Sequence, residues 1–169
     1  MTDSPAETER GAAVGAGAPF ADGRRVRAGV PWSVLGVISA GGAIGAVARY
    51  SLGRAVPVGS TGFPWATFIV NVSGCVLIGV LMVLVSEVWP GRRLLRPFLG
   101  VGVLGGYTTF STYIVDIQRL TAAGAVATAL AYLAGTLVAA LLAVYGGVTI
   151  TRTAVDHVRR SRTRAREVR

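Results

Sequence analysis

The chain has no lysine, one cysteine and one histidine among its 169 residues. Each shortage narrows the chemistry. With Cys75 alone there is no internal disulfide. With His157 as the sole imidazole, no Cys/His metal cluster can assemble. Between Asp22 and Asp156 the only acids are Glu87 and Asp116, each at the end of an apolar run. Paired carboxylates and a glycine-rich phosphate loop are both missing, so an enzyme reading has nothing to stand on. Charged residues make up 15% of the chain, against about 25% in an ordinary soluble domain.

What the chain has in excess is apolar length: 52% of its residues are hydrophobic, gathered in long runs. A membrane span needs about 20 such residues, and four runs meet the requirement, at residues 32–52, 64–86, 97–118 and 122–146. The expected fold is therefore an all-α membrane protein of four transmembrane helices with a broken third helix, over residues 31–151. Residues 1–30 are polar, rich in Ala and Gly and poor in large apolar side chains, and read as a disordered tail. Residues 152–169 form a basic tail holding seven arginines and His157, a solvated residue on this reading. Arg24, Arg25 and Arg27 before the first run resemble the basic flank of a signal peptide, but the run is long and glycine-patterned and reads as an uncleaved span.

The segment from Gly100 to Tyr113 is the unusual one. It lies in an uncharged stretch between Arg96 and Asp116, yet it is crowded with glycines and hydroxyls. Glycine gives up about 1 kcal/mol of helix propensity relative to Ala, so Gly105-Gly106 is the expected break. A break inside hydrocarbon leaves main-chain groups unpaired, and these survive only when buried in protein or lining a polar path. Thr108, Thr109, Ser111 and Thr112 add hydroxyls beside the rings of Phe110 and Tyr113. Two readings stay open: an ion site, or a small-residue face on which helices pack.

The other spans carry one polar feature each. Gly41 and Gly45 are four apart, a spacing that lets helix backbones touch. Arg49 closes that span, either snorkelling to the interface or anchoring a buried vestibule. Asn71 is the one strongly polar side chain at depth in the second span. Its amide offers two donors to an anion or bonds a neighbouring helix. Asp116 and Arg119 close the third span and are expected to face the interface, where the plainer reading is a surface ion pair. Thr128, Tyr132 and Thr136 recur every four residues in the fourth span and share a face, as a packing face or as a polar track.

Arginine placement sets the orientation. Fourteen of the seventeen arginines lie before the first span, between the second and third, or after the fourth; Arg49, Arg54 and Arg119 lie on the other side. The positive-inside rule puts both termini in the cytoplasm. The basic tail can touch anionic lipid, and no aromatic residues interleave its arginines, so nothing supports a nucleic-acid partner.

Gly41-Gly42-x-x-Gly45-Ala46-x-x-Arg49-Tyr50, Val70-Asn71-x-x-Gly74 and Gly105-Gly106-x-Thr108-Thr109-Phe110-Ser111-Thr112, in this order on four spans, resemble the CrcB (Fluc) family of fluoride channels. The resemblance implies a multi-pass plasma-membrane protein that releases cytoplasmic fluoride passively, built as an antiparallel dimer with two narrow pores. It implies a structural sodium ion held where the third-span breaks meet, by the backbone carbonyls of Gly105 and Thr108. It places Asn71, Phe110, Ser111, Thr112, Tyr113, Tyr132 and Thr136 along the fluoride path, and Arg49 at a vestibule. Tyr113 stands where the family has phenylalanine, and Thr136 where it often has serine. A fourteen-to-three arginine bias suits insertion in one direction only, so the expected partner is an oppositely oriented homologue rather than a second copy. Two rivals are a four-span proton-coupled exporter, for which span one lacks the needed mid-depth carboxylate, and a non-transporting assembly protein.

Overall fold

In the computed structural model, which describes residues 31–167, the chain is helix and short connections, with no strand among the described residues. The tail expected over residues 1–30 lies outside them. Helix α1, Trp32–Ala55, starts behind Pro31 and stops as Val56 donates to the Leu52 carbonyl (3.1 Å) ahead of Pro57. Helix α2, Trp65–Val83, follows Pro64 and widens into a π-helical turn, Leu84–Val88. The third span opens as a nine-residue π-helix, Arg96–Leu104, tightens into the single turn α3, Gly105–Tyr107, then breaks. It resumes as α4, Ser111–Ala122. Gly124, with φ of 74°, turns the chain into α5, Val126–Glu167. That left-handed angle suits glycine. Four helical stretches are long and apolar enough to cross a membrane: Trp32–Ala55, Trp65–Val88, Arg96–Ala122 and Val126–Ser161.

Two features depart from expectation. The interruption falls at Thr108–Phe110, not at Gly105-Gly106, which stay helical. Gly106 is used for contact: a Cβ there would run into the Gly42 carbonyl of α1. Helix propensity is outweighed by that packing. The basic tail, in turn, is no separate segment in its described part. Helix α5 carries on through it to Glu167, 42 residues in all, or about 63 Å at 1.5 Å per residue.

Packing follows from the absence of a hydrophobic drive between helices in lipid, which leaves close approach as the source of cohesion. Helix α1 lies mainly on the π-helical start of the third span and on α3, whereas α2 lies on α5. Glycines sit at both contacts. A Cβ on Gly41 would stand 2.5 Å from the Phe98 carbonyl oxygen, and one on Gly79 would stand 2.7 Å from that of Val144. Helix α4 returns against α5, where Leu120, Ala129 and Tyr132 are buried among Phe63, Phe68, Tyr113 and Ile117.

Replacing Gly79 by Val should force α2 from α5 at a cost of about 1–3 kcal/mol, seen as a lower melting temperature in detergent. Gly36→Ala, at a position where a Cβ meets nothing within 4 Å, should melt like the parent chain.

Candidate functional site

The break is held by a reciprocal pair. Asn71 Nδ2 donates to the Thr109 carbonyl and the Thr109 N–H donates to Asn71 Oδ1, both at 2.9 Å. In an unbroken helix that N–H would bond the Gly105 carbonyl. Likewise the Thr112 N–H, which would bond the Thr108 carbonyl, goes to Thr109 Oγ1 at 3.2 Å. The Gly105 and Thr108 carbonyls are thereby released from the helical ladder. Thr108 turns extended, with ψ of 158°, while its own N–H and hydroxyl both bond back to the Leu104 carbonyl at 2.9 Å. Gly74 makes the room, since a Cβ there would overlap the Thr108 methyl.

Thr109 is the hub. It is buried, and its hydroxyl also meets those of Thr112 (3.0 Å) and Ser111 (3.3 Å). Two cavities flank it. One, of about 390 Å³, is lined by Arg49, Tyr50, Arg54, Thr67, Thr109 and Thr112 among others. The second, of about 380 Å³, is lined by Asn71, Cys75, Gly105, Thr108, Thr109 and Phe110 among others. Thr109 thus stands in the partition between a chamber with two guanidinium groups and one with the released carbonyl segment.

From the break a line of rings leads into the protein. The Phe110 and Tyr113 centroids are 5.9 Å apart, those of Tyr113 and Tyr132 5.1 Å, and Phe63 meets Tyr132 edge-on at 5.3 Å. The Tyr113 hydroxyl donates to the Leu133 carbonyl at 2.9 Å. Tyr132 is fully buried and Thr136 nearly so; the Thr136 hydroxyl has no hydrogen-bond partner, and that of Tyr132 stands beside Thr67 and Asp116 without a well-aligned bond to either. Thr128, one turn before Tyr132, is half-buried. By contrast Phe110 is 76% exposed and Gly105, Ser111 and Thr112 are also on the surface. Of the residues singled out from sequence, Asn71, Phe110, Ser111, Thr112, Tyr113, Gly105 and Thr108 meet at the break. Tyr132 is joined to them through Tyr113, Thr136 lies one turn along α5, and Arg49 lines the adjoining chamber.

Sequence reasoning missed two residues and misplaced a third. Thr109 enters as one hydroxyl of several, with nothing to mark it as Asn71's partner. Thr67 was not singled out. Asp116 points inward rather than to the interface: it accepts a hydrogen bond from Thr67 Oγ1 at 2.7 Å and lies beside the Tyr132 hydroxyl. Arg119 folds over it at 3.7 Å while donating to the Gly59 carbonyl at 3.0 Å. Spacing held the signal, since Thr67 is one turn before Asn71 and Asp116 about one turn after Tyr113.

The model of a family described as CrcB-like protein, Camphor Resistance (CrcB), matches residues 36–148. A protein of Streptomyces avermitilis named fluoride-specific ion channel FluC 2 is 61% identical over 104 residues, covering 62% of this chain and 66% of its own length. A FluC 2 of Nocardia farcinica is 54% identical over 128 residues, 76% of this chain and 91% of the relative. A FluC 1 of Streptomyces coelicolor is 51% identical over 138 residues, 82% and 87% of the two chains.

Asn71→Ala strands both the N–H and the carbonyl of Thr109, at about 1–3 kcal/mol for each buried group. Amide hydrogen exchange should quicken at Thr109 and through the first turn of α4 while α2 keeps its protection. Unchanged exchange at Thr109 would remove Asn71 from the clamp.

Proposed function

The chain belongs to the CrcB-like family, and on that premise we propose that it is a fluoride-selective channel releasing cytoplasmic fluoride passively across the cell membrane. The observation that carries this reading is the interruption itself: a break at membrane depth, ringed by donors none of which bears a full charge. A small anion stripped of water in low dielectric costs tens of kcal/mol without substitutes. Asn71 gives one amide hydrogen to Thr109 and keeps a second for an anion. Ser111 and Thr112 supply hydroxyls, and Phe110 and Tyr113 offer electropositive ring edges. Because the Tyr113 hydroxyl is committed to Leu133, that residue acts through its ring much as phenylalanine would. Thr136, with an unpartnered hydroxyl, and Tyr132, through its ring, continue the path along α5. Neutral donors let an ion enter and leave, as conduction requires. The one carboxylate nearby, Asp116, is offset by Thr67 and Arg119, and the Arg49 chamber would gather anions beside it.

Helix-released carbonyls at Gly105 and Thr108 fit a hard cation, which prefers oxygen ligands. On this reading they hold the sodium ion, whose charge lessens repulsion between anions in neighbouring pores. The same carbonyl segment is on the surface of a single chain, a position hydrocarbon does not tolerate. A second subunit therefore covers it, in an antiparallel dimer. Fourteen arginines against three fix both termini of this chain in the cytoplasm, so the partner is an oppositely oriented homologue.

Vesicles containing this chain co-expressed with such a homologue should release fluoride to an external electrode without any imposed proton gradient. Asn71→Asp and Phe110→Ile should each abolish release while the dimer still elutes intact; unchanged release in either removes that residue from the pore. No release from the intact pair, or release only under a proton gradient, would overturn the channel. Purified alone, the chain should give no stable antiparallel dimer. A well-behaved homodimer that passes fluoride would overturn the heterologous pairing and leave the channel standing.

A further inference from the structure

The long α5 helix joins two regions of opposite character. Its inner length carries Tyr132 and Thr136 beside the break; its outer length, from Arg152 to Glu167, carries six arginines against Asp156 and Glu167. The outer length meets the end of α2. Arg152 Nε lies 3.5 Å from Glu87 Oε1, Arg159 Nη1 lies 3.4 Å from Glu87 Oε2, and Arg159 Nη2 donates to the Glu87 carbonyl at 2.7 Å. Glu87 lies in the π-helical extension of α2, the helix that carries Asn71. Two contacts about two turns apart on α5 thus join it to the second helix. One carboxylate cannot neutralise two guanidinium groups, and Arg160 and Arg164 stand exposed beyond it. Arg92, Arg93 and Arg96 are exposed at the same end of the bundle.

We propose that this arginine-bearing extension of α5 is an anion collector: a helical positive column that raises the local concentration of small anions at the adjoining mouth of the pathway. The inference rests on the channel reading and adds to it a means of speeding capture when fluoride is scarce. Clustered charge of one sign raises association rates tenfold or more at low salt. Lipid headgroups are the weaker candidate partner. The extension continues α5 past the span, so Arg164 stands about 20 Å past Thr151, farther out than a headgroup layer that adds only about 5–8 Å to each face of the hydrocarbon core. Arg152 and Arg159, nearest the bilayer, are engaged by Glu87.

The test uses the reconstituted dimer at low fluoride, with an impermeant salt varied on one side at a time. Raising it from about 10 mM to about 300 mM on the side of the extension should slow release roughly tenfold, as screening predicts. The same change on the far side, where only Arg49 and Arg54 line the chamber, should slow release markedly less. Arg160→Gln combined with Arg164→Gln should slow release at low salt and flatten the profile, with parent and variant converging at high fluoride. A flat parental profile, or equal sensitivity on both sides, overturns the collector while leaving a working channel. Salt sensitivity that requires anionic lipid in the vesicle also overturns it, assigning the arginines to headgroups. No release at any ionic strength fails the channel reading, and the collector falls with it.

Discussion

The reciprocal hydrogen bonds between Asn71 and Thr109 are the constraint on which the remaining structure depends. Main-chain polar groups in hydrocarbon must be bonded or sheltered, and an interrupted span breaks that rule at several positions together. Asn71 takes the Thr109 N–H and carbonyl. Thr109 takes the Thr112 N–H, and Thr108 ties its own N–H and hydroxyl to Leu104. What remains outside the ladder is a short run of carbonyls at the end of α3, those of Gly105 and Thr108 among them. One amide side chain on a neighbouring helix thus converts a costly defect into a defined set of oxygens.

The same clamp organises the helices around it. Asn71 can reach Thr109 only because α2 approaches the break closely, and Gly74 leaves space there for Thr108. On the other flank Gly41, Gly102 and Gly106 bring α1 and the third span to backbone contact. Helix α4, redirected by the break, carries Tyr113 and Asp116 back onto Tyr132 of α5. Aromatic contacts and the Thr67–Asp116–Arg119 group then fix that return. Polar and apolar contacts each have a place: glycine faces set distances, and a few hydrogen bonds set register.

Much of this architecture was legible along the chain, for reasons tied to particular residues. Runs of apolar residues interrupted by Pro57 and Pro64, by Pro90, and by the charged stretch from Asp116 to Arg119 mark four helical stretches, because spanning length is a property of local composition. Gly41 and Gly45 announce a close contact by spacing alone. Gly105-Gly106 misled for the same reason: glycine weakens a helix and also permits contact, and only the presence of Gly42 opposite Gly106 decides between the two. Asp116 misled because a carboxylate near a span end is ordinarily solvated, and nothing in its neighbours shows Thr67 opposite it.

The sequence by itself determined the membrane class, the four spans, the one-sided arginines and a hydroxyl-rich stretch unsuited to continuous helix. These follow from composition and short-range periodicity, to which each residue contributes independently of the fold. Tertiary structure alone decided where the third span breaks, which carbonyls are released, that Asp116 turns inward and that the basic tail continues α5 against Glu87. Each of those outcomes depends on a partner far away in the chain, 38 residues for Asn71 and Thr109 and 72 for Glu87 and Arg159. Such pairings arise only when packed helices bring the two groups to the same depth, since hydrogen bonds and close contacts act over a few ångströms of space.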